Sequence, residues 1–104
     1  HTVMLTYAAR NSSFDGVEIS EGDYLAMLEN RLLSSGRELD RVMADIIDAL
    51  SGFKPELINV YYGENVDEAQ ANNIAAAIES RLPDAEVTVI NGGQPVYYFI
   101  ISAE

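Results

Sequence analysis

The sequence predicts an α/β fold (or an α+β arrangement) in which two helices pack on a mixed β-sheet. Residues 57–90 show strand-like, helix-like and strand-like patterns in turn, and such a unit is almost always a right-handed parallel crossover. The loop 91–95 is too short for another crossover, so the last strand should return antiparallel. Short alternating runs between turn signals in residues 2–33 indicate an antiparallel hairpin region. At 104 residues, one domain covering 1–104 is expected.

The first third of the chain contains only short elements. Alternating apolar and polar residues and turn signals such as Asp15-Gly16 bound each of them. Asn30 tolerates the left-handed conformation that a tight turn after Glu29 needs. These patterns predict a strand Thr2–Ala9, a polar loop 10–16, a short half-buried strand Val17–Ile19, and a hairpin of Tyr24–Leu28 with Arg31–Leu33.

The first helix is predicted behind Ser35-Gly36-Arg37-Glu38, which matches a capping box. Gly52 and Pro55 mark its end. Its apolar residues recur with the helical period of 3.6 and form one stripe: Leu39, Val42, Met43, Ile46, Ile47 and Leu50.

The crossover unit begins with the predicted strand Leu57–Tyr62. Asn65 offers an N-cap for a second helix, with Glu68 at the third helical position. Pro83-Asp84 ends this helix, whose apolar stripe consists of Ala71, Ile74, Ala75, Ile78 and Leu82. Two further strands are predicted at Glu86–Ile90 and Tyr97–Ile101.

The composition restricts the kinds of partner. Seventeen acidic residues face six basic ones, and the net charge is −11. Such a surface repels nucleic acids and anionic membranes, whereas a partner with a basic face would be steered toward it. No apolar run approaches the roughly 18 residues of a membrane span, and the absence of cysteine suits a cytoplasmic protein. Because the first residue is His1, we expect a piece of a longer protein.

The residues offer little chemistry of their own. His1 is the only histidine and is expected at a frayed end, so nucleophilic schemes lack a base. Neither a phosphate-binding loop nor a metal-binding spacing is present. The sequence therefore predicts a noncatalytic chain without a cofactor or metal.

Two loops are the best candidates for a binding site. Residues 63–65 and 91–95 should follow adjacent parallel strands, and ligands usually bind at the carboxyl ends of such strands. Glycines in both loops permit tight turns and expose bare backbone, although turn chemistry alone predicts only a hairpin turn at 91–95. In the pairs Tyr61-Tyr62 and Tyr97-Tyr98, one ring should point inward and one outward. The candidate partner-binding residues are Tyr62, Gly63, Glu64, Asn65, Asn91, Gly92, Gly93, Gln94, Pro95 and Tyr97.

The same segments resemble a known bacterial family. Residues 57–66 (LINVYYGENV), 83–87 (PDAEV), 91–98 (NGGQPVYY) and the upstream 15–24 (DGVEISEGDY) are similar to the C-terminal domain of dihydroxyacetone-kinase-like (DhaL-domain) proteins. These proteins act as the kinase subunit of bacterial fatty acid kinase. The resemblance covers nearly the whole chain, but Ile90 stands where a histidine is expected.

The resemblance implies a longer parent whose N-terminal domain binds ATP and Mg²⁺ and phosphorylates a fatty acid held by a DegV-like carrier protein. It implies that this domain engages the carrier and has a DegV-like βαββ unit. Two alternatives stay open: a DegV-like module that itself binds a fatty acid or another small molecule, and a structural or dimerising domain.

Overall fold

A computed structural model describes all residues, His1 to Glu104. It contains eight strands and two helices, which confirms the predicted mixed α/β class. In chain order they are β1 (Thr2–Tyr7), β2 (Ser12–Phe14), β3 (Val17–Ile19), β4 (Tyr24–Leu28), β5 (Arg31–Gly36), α1 (Leu39–Ser51), β6 (Leu57–Tyr62), α2 (Glu68–Arg81), β7 (Glu86–Asn91) and β8 (Phe99–Ala103).

Six strands form the main sheet in the order β5-β4-β1-β8-β6-β7. As predicted, β6 and β7 are parallel, and β8 runs antiparallel to its neighbours. However, β8 lies between β1 and β6 rather than beside β7, so the prediction of a hairpin turn at 91–95 is wrong. The reason is burial on both faces. Phe99 and Ile101 are buried and Ile100 is half-buried, which favours a central strand over an edge strand.

The last strand also begins later than predicted. Tyr97 and Tyr98 lie in the segment that crosses from β7 over the end of β6, and β8 starts only at Phe99. Strand propensity placed the tyrosines in a strand, but this crossing needs a connection longer than five residues.

A separate two-stranded sheet interrupts the chain between β1 and β4. β2 pairs with β3, so part of the predicted loop 10–16 is a strand. Asp15 (φ 51°) and Gly16 (φ 79°) form the turn, as Asp-Gly commonly does in two-residue hairpins. A carboxylate oxygen of Asp15 accepts a hydrogen bond from the Leu32 amide at 3.0 Å, which holds the hairpin tip against β5.

The predicted cap of α1 is wrong, although its buried face is confirmed. Ser35 and Gly36 belong to β5 and pair with β4, because β-sheet pairing continues past the predicted end of the strand. The N-cap is Glu38, which makes no side-chain capping hydrogen bond. Five residues of the predicted stripe are buried: Val42, Met43, Ile46, Ile47 and Leu50.

The second helix is capped by Asp67 rather than Asn65. Its carboxylate accepts a hydrogen bond from the Gln70 amide at 2.7 Å, so Glu68 is the first helical residue. A cap two residues later leaves Asn65 in the loop. The predicted stripe is buried at Ala71, Ile74, Ala75 and Ile78, while Leu82 is half-buried.

Both helices lie on one face of the main sheet. The inward residues of the strands and of α1 and α2 join in one core cluster of 17 buried residues, and the opposite, helix-free face carries half-buried side chains such as Met27 and Ile100. The helices contain 13 and 14 residues, and neither is long and apolar enough to cross a bilayer.

The candidate partner-binding rim

The two predicted loops lie side by side. β6 and β7 are in parallel register, with Tyr62 paired to Asn91, so both strands end at the same edge of the sheet. We call this edge, residues 62–65 and 91–97, the carboxyl rim. The N-termini of α1 and α2 lie on this side of the sheet, since each helix follows a strand that ends there.

Backbone hydrogen bonds join the loops into one surface. The Gly63 amide donates to the Tyr98 carbonyl at 2.8 Å, and the Glu64 amide donates to the Gln94 carbonyl at 3.0 Å. The amides of Gly92 and Gly93 both donate to the Tyr62 carbonyl, at 3.0 and 3.1 Å. A change in one loop should therefore be transmitted to the other.

The glycines of the rim have different roles. A Cβ on Gly63 would clash with the Tyr97 carbonyl oxygen and lie 2.9 Å from the Gln94 carbonyl oxygen. At Gly92, the space beside the Cα is occupied by the Gln94 side chain. These two glycines make room for the chain's own atoms, not for another molecule. Only Gly93, with φ +62° and open space beside it, matches the prediction of bare backbone.

Gln94 clamps the rim from within. Its side-chain amide donates to the Tyr61 carbonyl at 3.1 Å and to the Tyr97 carbonyl at 3.4 Å. It therefore supports the loop instead of being displayed to a partner. The fully exposed candidates are Glu64, Asn65, Asn91, Gly92, Gly93 and Pro95.

The four tyrosines near the rim divide as predicted, one ring of each pair toward the core. Tyr62 and Tyr98 pack against the core cluster, whereas Tyr61 and Tyr97 do not. All four are nevertheless half-buried, so no ring points fully outward. Of the candidates, Gly63 is buried and Tyr62 packs inward, which leaves both as supporting residues.

The rim is acidic. Glu64, Asp67 and Glu68 are exposed beside it, and neither residues 55–80 nor residues 82–104 contain a lysine or arginine. A surface of one charge sign favours partners of the opposite sign.

Two features of this side of the sheet were missed by the sequence interpretation. Val96 is 69% exposed and has φ +72°. Its β-branched side chain indicated only a strand. Tyr7, Tyr24 and Tyr98 form a cluster with ring centroids 6.0–6.1 Å apart. The strand register, which pairs Tyr7 with Tyr24, is the only signal that would have found it.

The tyrosine cluster contains the one clear electrostatic perturbation. Loss of water around Tyr98 raises the pKa of its hydroxyl, and the neighbouring Tyr24 and Tyr7 raise it further. No group of three or more metal-ligating side chains is present in the structure.

The remaining candidates lie away from the rim. Ile90, where a histidine was expected, pairs with Tyr61 on the helix-free face. The prediction of a frayed His1 is wrong, because its ring stacks on Phe53 at 3.5 Å and Nδ1 lies 2.8 Å from the Glu29 carboxylate. The largest cavity, about 440 Å³, lies at the opposite edge of the sheet and is lined mainly by polar residues such as Lys54 and Asp84.

Comparison with known proteins agrees with this architecture along the whole chain. The family model for the FakA-like C-terminal domain of fatty acid kinase matches residues 1–104. Uncharacterized proteins of Staphylococcus aureus strains USA300, NCTC 8325 and COL are each 32% identical over 100 residues. The match covers 96% of this chain but only 18% of each relative. The chain therefore belongs to the family of FakA-like C-terminal domains of fatty acid kinase.

Proposed function

We propose that this chain is the noncatalytic C-terminal domain of a dihydroxyacetone-kinase-like fatty acid kinase protein, and that its carboxyl rim docks the DegV-like carrier protein. In this proposal ATP and Mg²⁺ bind to an N-terminal part of the whole protein. That part phosphorylates the fatty acid held by the carrier in the cytoplasm. Family membership supports a role in fatty acid kinase.

The observation that carries the docking proposal is the union of the two loops. Hydrogen bonds between Glu64 and Gln94, and between Gly92 and Tyr62, hold the rim in a defined shape. A preformed surface loses little conformational entropy on binding. Its exposed charges are acidic, so a carrier with a basic docking face would associate rapidly.

The proposal is tested by measuring the affinity of the intact protein for the DegV-like carrier of the same organism by calorimetry. Glu64→Lys should weaken binding about tenfold by placing like charges opposite each other. Gly93→Asn should also weaken it, because asparagine accepts a positive φ while its side chain fills the open space.

Asp84→Lys is the matched control. It makes the same charge change on an exposed residue at the opposite edge of the sheet, and affinity should stay within about twofold, because it alters only long-range steering. Equal losses for Glu64→Lys and Asp84→Lys would show that net charge matters and the carboxyl rim does not.

A further inference from the structure

Val96 is an unusual residue at the carboxyl rim. Its side chain is 69% exposed, whereas the other exposed large hydrophobic side chains are 38–45% exposed. Leaving apolar surface in water is unfavourable, and scattered exposed residues are common. The exposure of Val96 therefore becomes informative only together with its backbone.

The backbone of Val96 is strained. Its φ is +72°, a region that β-branched residues almost never adopt. The Tyr97 amide donates to the Pro95 carbonyl at 2.8 Å, which closes a three-residue turn of the rare, strained type with Val96 at its centre. Glycine would fit this position without strain, so folding stability does not explain the valine.

The surrounding chain holds Val96 in place. The Thr6 hydroxyl donates to the Val96 carbonyl at 3.0 Å, and the Tyr98 amide donates to the Leu5 carbonyl at 2.9 Å. On the other side of Val96, the side chain of Gln94 is bonded to the Tyr97 carbonyl. An apolar side chain on a rigid turn is suited to binding, since little entropy is lost when it is buried.

We propose that Val96 is an anchor residue that inserts into an apolar pocket on a protein partner, and that basic side chains surround this pocket. The basic surroundings follow from charge complementarity with Glu64, Asp67 and Glu68. A second copy of this chain, with a net charge of −11, and an anionic lipid surface would both be repelled. This inference rests on the proposed docking function and names the residue that determines its affinity.

The test compares two variants of the intact protein in the calorimetric assay with the DegV-like carrier. Val96→Gly relieves the strained backbone and removes the anchor, so the melting temperature should be equal or higher while affinity falls about tenfold or more. Val96→Thr keeps the shape and the strain but places a hydroxyl in the apolar pocket, and we expect a loss of about tenfold.

Val17→Thr is the matched control. Val17 is 42% exposed and lies at the tip of the β2–β3 hairpin, which contacts β5. Its substitution should leave affinity unchanged. Affinities of both Val96 variants within about twofold of the unaltered protein would overturn the anchor inference.

The rim variants separate this inference from the proposed function. If Glu64→Lys and Gly93→Asn weaken binding but the Val96 variants do not, the docking function stands and the anchor fails. If the unaltered protein does not bind the carrier, both fail together.

Discussion

Replacing Gly63 with alanine tests how closely the two loops of the carboxyl rim are packed. The added methyl group would clash with the Tyr97 carbonyl oxygen and lie 2.9 Å from that of Gln94. Both are backbone atoms, so neither can turn aside as a flexible side chain would. The loops must separate, and the hydrogen bond from the Gly63 amide to the Tyr98 carbonyl must lengthen.

The expected cost combines three contributions. Overpacking in a well-packed site costs about 1–3 kcal/mol, and weakening one hydrogen bond costs about 1 kcal/mol. Alanine restricts the unfolded chain, which offsets roughly 0.4–1 kcal/mol. The free energy of unfolding should therefore fall by about 1–3 kcal/mol, which lowers the melting temperature of a domain of this size by ~4–8 °C per kcal/mol.

Urea and thermal denaturation followed by circular dichroism would measure this change. Gly52→Ala is the matched control, because Gly52 has helical angles (φ −65°, ψ −24°) and a Cβ there would lie 3.4 Å from the Ala49 carbonyl oxygen. That variant should be unchanged or stabilised by up to about 1 kcal/mol. If Gly63→Ala is as stable as the unaltered protein, the two loops are not in contact as described.

Three further predictions concern the core, a helix cap and a tyrosine. Ile78→Ala should lower the free energy of unfolding by about 2–5 kcal/mol, because Ile78 is fully buried; a near-zero change in urea denaturation would contradict the assigned face of α2. Asp67→Ala should cost about 1 kcal/mol through loss of the cap, whereas Ser35→Ala, which removes no cap, should change stability by less than about 0.5 kcal/mol; equal losses would contradict the assignment. The raised pKa of Tyr98 favours the neutral hydroxyl in the folded state. That contribution is complete below the unfolded pKa and is lost as pH rises through the folded pKa. Stability measured by urea denaturation at pH values above about 10 should therefore fall less in Tyr98→Phe, and equal falls would exclude this cause.

Much of the candidate site could be predicted from local sequence. The strand ending at Tyr62, the following glycine and the parallel crossover together placed two loops at one edge of the sheet. The function of the glycines could not be predicted in the same way. A glycine that permits a turn and one that admits a distant carbonyl look the same in sequence, and only the contact between Gly63 and Tyr97 distinguishes them.

The sequence by itself determined the buried faces of both helices, the limits of β6 and the acidic character of the rim. These features depend on periodicity and charge, which are properties of neighbouring residues. Tertiary structure alone decided that β8 lies between β1 and β6, that Ser35 pairs in a strand instead of capping a helix, and that Val96 is held at a positive φ. Each of these depends on hydrogen bonds between residues far apart in the chain, for which local patterns carry no information.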